Sequence, residues 1–221
     1  MTGEANSRLL LLGHRGARAS KSIPENTFAS FDQALADGCD GFEFDVRLTS
    51  DGRAVICHDP AVRGMEIAHA SVEQCTGLPL LEEILDRYQD RAFLDIELKV
   101  SGLEKIVLDA LQNRPPHQGF VVSSFLPEVL QAIHAQDSAI PLGLICETHA
   151  ELNHWSRLPV EYVIPHYKLV DKALIERLKQ AGKKTMVWTV NSRPHMQRFR
   201  DEGVDGIISD DTDLLARTLK P

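Results

Sequence analysis

Gly41-Phe42-Glu43-Phe44-Asp45-Val46-Arg47 and Phe93-Leu94-Asp95-Ile96-Glu97-Leu98-Lys99 alternate apolar and charged side chains with a period of two. Successive side chains of a strand point to opposite faces. Glu43 and Asp45 therefore share one face while Phe42, Phe44 and Val46 share the other. Asp95, Glu97 and Lys99 are set against Leu94, Ile96 and Leu98 in the same way. Two faces this different suit a strand whose apolar side is covered by helices and whose polar side points into a closed barrel. The charges come late in each segment, which puts them at the C-terminal mouth, where such barrels carry their active sites.

Outward from these segments, short apolar runs alternate with amphipathic stretches. Strands are expected at 9–13, 41–46, 92–98, 120–124, 141–145, 161–165, 184–190 and 205–209, and helices at 25–37, 80–89, 102–113, 127–135, 150–157, 171–181, 193–202 and 213–219. Gly38, Gly182 and Gly203 follow helical stretches, where a left-handed cap is wanted. Eight strands, each followed by a helix, predict a single-domain (β/α)8 TIM barrel over residues 1–221 rather than a doubly wound open sheet.

The run 54–59 is left over. It follows the second strand too closely for a parallel crossover, so an Asp51-Gly52 turn is expected to make an extra hairpin strand. A two-residue loop there sets His58 opposite Asp45, and sliding it back by one sets His58 opposite Glu43. Opposed residues share a face, so either register brings an imidazole to a carboxylate. The stretch 60–79 reads as loop.

Charge and cysteine usage narrow the function. Against 32 Asp+Glu stand 24 Lys+Arg, a net charge of −8, which disfavours nucleic acid as a partner. An anionic small molecule is still compatible, because a local basic pocket can sit on an acidic surface. Cys39, Cys57, Cys75 and Cys146 have no paired metal or redox spacing, and Cys39 and Cys146 read as small core residues. Residues 1–8 carry an acid and lack a basic head, and the apolar run 9–12 is too short for a leader or a membrane span. A cytoplasmic protein without stable membrane insertion is expected.

Carboxylates on the inner face of adjacent strands are costly to bury unless they are paired or bound to a cation. An ion pair such as Lys99 with Asp95 could account for one of them, but the cluster keeps net negative charge. An all-oxygen site suits Mg²⁺ or Ca²⁺ better than zinc. His14 ends the first strand, and with His58 and the acids it converges on one mouth, as general acid–base chemistry requires. Arg15 and Lys99 add fixed positive charge for a phosphate-like anion.

In order along the chain stand His14-Arg15-Gly16, Pro24-Glu25-Asn26-Thr27, Glu43-x-Asp45, His58-Asp59, Asp95-Ile96-Glu97-Leu98-Lys99, Ser123-Ser124-Phe125, Val187-Trp188-Thr189-Val190-Asn191 and the run 203–210 ending Ser209-Asp210. The ordered set, from about residue 9 to 212, resembles the glycerophosphodiester phosphodiesterase family. The resemblance implies a divalent metal on Glu43, Asp45 and Glu97, His14 and His58 as the acid–base pair, and Arg15 and Lys99 as phosphate ligands. It places Glu25 behind the groups that touch substrate, unless Glu25 is simply an acid in the first turn of a helix. Phe125 and Trp188 either wall the pocket or pack beneath it, and His166 is a weaker candidate for the rim. His69, His117, His134, His149, His154 and His195 read as surface. Similar family members usually carry an inserted subdomain after the His-Asp pair. Here only residues 60–79 stand in its place, so the cover over the pocket should be small. The implied reaction is release of sn-glycerol 3-phosphate and an alcohol from a glycerophosphodiester. The rivals are a lysophospholipase D on the same scaffold and a non-catalytic barrel that binds phosphorylated ligands.

Overall fold

The computed structural model describes residues 8–220; the segment 1–7, read above as lacking a leader's basic head, lies outside them. The strands are β1 Leu10–His14, β2 Gly41–Leu48, β3 Ala54–Ile56, β4 Ala61–Val62, β5 Met65–Glu66, β6 Phe93–Leu98, β7 Phe120–Ser124, β8 Leu142–Cys146, β9 Tyr162–Pro165, β10 Lys184–Val187 and β11 Gly206–Ser209. The helices are α1 Phe28–Ala36, α2 Leu81–Tyr88, α3 Glu104–Asn113, α4 Pro127–Gln136, α5 His149–Leu152, α6 Lys172–Gln180, α7 Arg193–Glu202 and α8 Thr212–Leu219.

Eight of the strands pair in parallel in the order β1, β2, β6, β7, β8, β9, β10, β11, and β11 pairs with β1 to close a (β/α)8 barrel. β3 lies outside the ring as an antiparallel partner of β2. The apolar faces of β2 and β6 pack outward, where Phe42, Phe44, Val46, Leu94 and Ile96 join helix residues in the larger core cluster. Phe31 of α1 stacks on Phe42 at 4.2 Å between ring centroids. A smaller cluster of Leu12, Phe93, Val121, Ile145, Tyr162, Ile164, Met186 and Ile208 fills the barrel itself. Among the described residues no helix is long and apolar enough to cross a membrane, and the four cysteines are free and buried.

Four details differ from the sequence reading. The β2–β3 loop holds three residues, with Thr49 N–H donating to the carbonyl of Arg53 at 3.0 Å and Gly52 at φ +76°. Neither expected register therefore holds: Cys57 lies opposite Asp45, and His58 comes after the last rung. Second, α1 begins at Phe28 because Thr27 caps it, accepting the amide of Ser30 at 3.3 Å. Third, the expected helix 150–157 is one turn of α-helix followed by a 3₁₀ turn, Trp155–Arg157. Finally, residues 60–79 are ordered as the β4–β5 hairpin and a 3₁₀ turn, Ile67–His69. Their apolar side chains Ile67, Ala70 and Cys75 cluster with Val55 and Cys57.

Phe42 is fully buried directly behind the strand that carries Glu43 and Asp45. Truncating a buried aromatic ring typically costs about 3–5 kcal/mol. Phe42→Ala is expected to destabilise the fold by that amount, read as a lower urea midpoint with an unchanged slope.

Candidate active site

The barrel register sets the acids side by side. Glu43 of β2 pairs with His14 of β1 on one side and Asp95 of β6 on the other, and Asp45 pairs with Glu97. Oxygens of Glu43, Asp45 and Glu97 lie within 4.8 Å of one another, and all three residues are buried. Glu43 Oε1 has no hydrogen-bond partner. Lys99 Nζ reaches Glu97 Oε1 at 2.6 Å and lies 3.1 Å from Asp45 Oδ1. The lysine thus pairs with these two rather than with Asp95. Unpartnered buried carboxylate oxygens are expensive, and an all-oxygen set of this kind fits a hard divalent cation.

Electrostatics point the same way. Burial, then repulsion from Asp45, Glu97 and Asp95, pushes the Glu43 carboxyl well above the usual carboxylate range. Burial followed by the charge of Asp45 pushes Glu97 up to about 7, against the pull of Lys99. Burial also opposes ionisation of Asp45, but Lys99, Arg15 and the amide of Asn26 outweigh it and hold Asp45 below its ordinary value.

The end of β1 supplies the first histidine, and the turn after it the arginine. Arg15 and Gly16 both adopt left-handed backbone, φ +52° and +81°. A Cβ on Gly16 would stand 2.5 Å from the carbonyl carbon of Ser30, so only glycine lets the chain fold back against α1. The turn aims the Arg15 amide at Glu43 Oε2, 3.0 Å away. The Arg15 guanidinium donates to Glu25 Oε1 at 2.8 Å and approaches Asp45 Oδ2 at 3.3 Å. Glu25 precedes the Thr27 cap, so it is not a first-turn acid; it supports Arg15, and Arg18 Nε binds its other oxygen at 2.6 Å. Asn26, also left-handed at φ +56°, donates Nδ2 to Asp45 Oδ2 at 2.7 Å.

His14 Nδ1 lies 2.7 Å from Asp210 Oδ1. A carboxylate only accepts, so Nδ1 carries the proton and Nε2 is left with its lone pair, 3.9 Å from Glu43 Oε2. Burial lowers the His14 pKa, with Arg15 adding to the effect and Asp210 opposing it. Asp210 is itself held by Asn191 Nδ2 at 2.6 Å and Arg18 Nη1 at 3.2 Å. His58 repeats the arrangement, with Nδ1 2.8 Å from Asp59 Oδ1 and its carbonyl clasped by Arg47 Nε and Nη2 at 2.8 and 2.6 Å.

A cavity of about 310 Å³ joins these groups. Its lining combines the polar groups His14, Arg15, Glu43, His58, Asp95, Glu97, Lys99 and Glu147 with the apolar Phe125, Ile145, Ile164, Trp188 and Ile208. Phe125 and Trp188 thus form part of its wall, in edge contact at 5.7 Å. His166 packs on Trp188 at 5.3 Å without lining the cavity, and no residue of 60–79 lines it. Asp210, Asn191, Asn26, Arg18 and Glu147 gained no role from the sequence. Barrel closure was the available signal for Asp210, because the residue after the last strand then sits beside the residue ending the first.

The model of the glycerophosphoryl diester phosphodiesterase family matches residues 14–76 and 70–214. A glycerophosphodiester phosphodiesterase of Caldanaerobacter subterraneus subsp. tengcongensis is 29% identical, over 96% of this chain and 98% of its own length. The solved glycerophosphodiester phosphodiesterase of Thermotoga maritima superposes with a TM-score of 0.83 at 23% identity, covering 95% of this chain and 98% of that one. An Oleispira antarctica phosphodiesterase, solved with the product sn-glycerol-3-phosphate, gives 0.84 at 23% identity, covering 96% and 97%. With its barrel and its acid-lined mouth, this chain is an enzyme of the glycerophosphoryl diester phosphodiesterase family.

Proposed function

We propose that the chain hydrolyses glycerophosphodiesters to sn-glycerol 3-phosphate and an alcohol, with a divalent cation, Mg²⁺ or Ca²⁺, held by Glu43, Asp45 and Glu97. The observation that carries the reading is the meeting, in one cavity, of that oxygen triad with two histidines whose Nδ1 atoms are each held by an aspartate. The product bound by the Oleispira relative supports the same product here.

A bound cation would supply Lewis-acid polarisation of a phosphoryl oxygen. Arg15 and Lys99, set beside the same carboxylates, would bind the phosphate oxygens, where fixed donors stabilise charge as it develops. Glu25 fixes Arg15, and Phe125 and Trp188 hold the apolar edges of the substrate. His14, buried and neutral, accepts the proton of the nucleophile at Nε2. His58, half-exposed at the mouth, donates the proton it carries on Nε2 to the departing alcohol. Asp210 keeps His14 in the Nδ1–H tautomer, and Asp59 orients the His58 ring through Nδ1.

A second reading, lysophospholipase D activity, is favoured by the apolar wall and by the lack of any contribution from 60–79 to the cavity lining. A diester with an acyl tail would then find room beyond Trp188. Comparing glycerophosphocholine with a lysophosphatidylcholine separates the two readings.

Release of sn-glycerol 3-phosphate from glycerophosphocholine is expected with Mg²⁺ or Ca²⁺ and to cease with EDTA; metal-independent release would overturn the assignment. His14→Ala and His58→Ala should each lower kcat by about 10²–10⁴-fold, and wild-type turnover in either removes that histidine from the chemistry. Glu43 and Glu97, with raised pKa values, hold protons in the metal-free fold that an unfolded chain releases above about pH 4. Their stabilising contribution is full below that pH and is lost as pH rises through about 7 for Glu97. A cation replaces those protons, so the rise in Tm on adding Mg²⁺ or Ca²⁺ should grow from about pH 5 to about pH 8. A rise that shrinks over this range counts against the carboxylate site.

A further inference from the structure

Asp95 has no part in the reaction as drawn so far. It lies on β6 one inward position deeper than Glu97, level with Glu43 across the strand pair. It is 1% exposed, yet it lines the cavity. Oδ1 accepts the hydroxyl of Ser123 at 2.5 Å, which fixes the carboxylate, while Oδ2 has no hydrogen-bond partner. The oxygens that converge for a cation do not include it. A buried carboxylate oxygen left without a donor is costly to keep, so its placement calls for a donor that arrives with the ligand.

The surroundings say what kind of donor. Beside Ser123, β8 carries Gly143, where a Cβ would come within 2.7 Å of Ile164 Cδ1 and 3.3 Å of Ser123 Cβ. The side chains of Ile164, Val121 and Ser123 already fill the space a side chain at 143 would take, so the surroundings of Asp95 are close-packed and largely apolar. The adjoining wall is Ile145 and Ile164, which suits C–H edges and offers no polar partner. Cationic side chains are already engaged above, at Glu97 and Asp45. A carbon skeleton with hydroxyl groups fits this floor: its C–H face meets the isoleucines and one O–H donates to Asp95.

We propose that Asp95 Oδ2, held in place by Ser123, accepts a hydroxyl of the glycerol half of the substrate and makes the site select hydroxylated esters over simple alkyl esters. This rests on the proposed function and names the residue that reads the part of the substrate that is retained in the product. Sites built to hydrogen-bond a hydroxyl discriminate strongly against analogues that lack it, because the buried group is then unpaired. The glycerol is thereby seated deep and the alcohol points to the mouth, where His58 stands.

Calorimetry on the cation-loaded protein tests this with two probes, sn-glycerol 3-phosphate and ethyl phosphate, which lacks hydroxyl groups on carbon. Wild type should bind the glycerol ester more tightly. Asp95→Ala should weaken sn-glycerol 3-phosphate by about 10–100-fold and leave ethyl phosphate and cation affinity unchanged. Asp95→Asn keeps the shape and one acceptor oxygen, so it should fall between the two, and it carries the test if the alanine variant fails to fold. Variants that keep the wild-type preference overturn the role of Asp95 alone. Parallel loss of cation affinity also overturns it, because Asp95 would then be a metal ligand. A wild-type protein that binds neither ester overturns the proposed function, and this inference with it.

Discussion

Repulsion among buried carboxylates is the constraint to which the rest of the site answers. Glu43, Asp45 and Glu97 bring oxygens within 4.8 Å inside a barrel, with Asp95 one layer below. Left alone, such a cluster would spread apart or take up protons. The barrel prevents the first, because β2 and β6 are paired along six consecutive positions and backed by stacked aromatic rings. Lys99 and Arg15 neutralise only part of the charge. What results is a rigid, electron-rich floor with an unmet demand for positive charge, which the proposed cation would supply.

The histidines answer to the same field. An imidazole beside several carboxylates would ordinarily gain a proton, yet burial keeps His14 on the neutral side. Its Nδ1–H is spent on Asp210, whose own charge is stabilised by Asn191 and Arg18. The negative partner is thus behind the ring and the basic nitrogen in front, a polarity that a lone histidine at a strand end would not have.

Much of this was legible in the sequence, for a definite reason. The period-two alternation of 41–47 and 93–99 fixes which side chains look inward, and closed barrels admit few arrangements of inward charge. Thus the pattern alone gathers the acids, Lys99, His14 and Arg15 at one mouth. The hairpin register was missed because Gly52, left-handed, supports a three-residue loop as readily as a two-residue one, and one residue shifts every pairing. His58 reaches the cavity all the same, because Arg47 clasps its carbonyl just past the rung. Asn26 and Asp210 act through long-range contacts to Asp45 and His14 that local patterns do not encode. The short segment 60–79 looked like loop because its apolar residues serve a satellite cluster rather than the barrel's periodic core.

Arg18 is shared between Glu25 and Asp210, and through them it touches the supports of both Arg15 and His14. A cation divided between two carboxylates makes their energies interdependent: removing either lets the guanidinium commit fully to the other. Substitutions at Glu25 and Asp210 should therefore not add, although one steadies the Arg15 guanidinium and the other the His14 imidazole. The proposed anion-binding and proton-transfer groups are in this way tied by one exposed side chain, so a change to one half of the pair alters the cost of a change to the other.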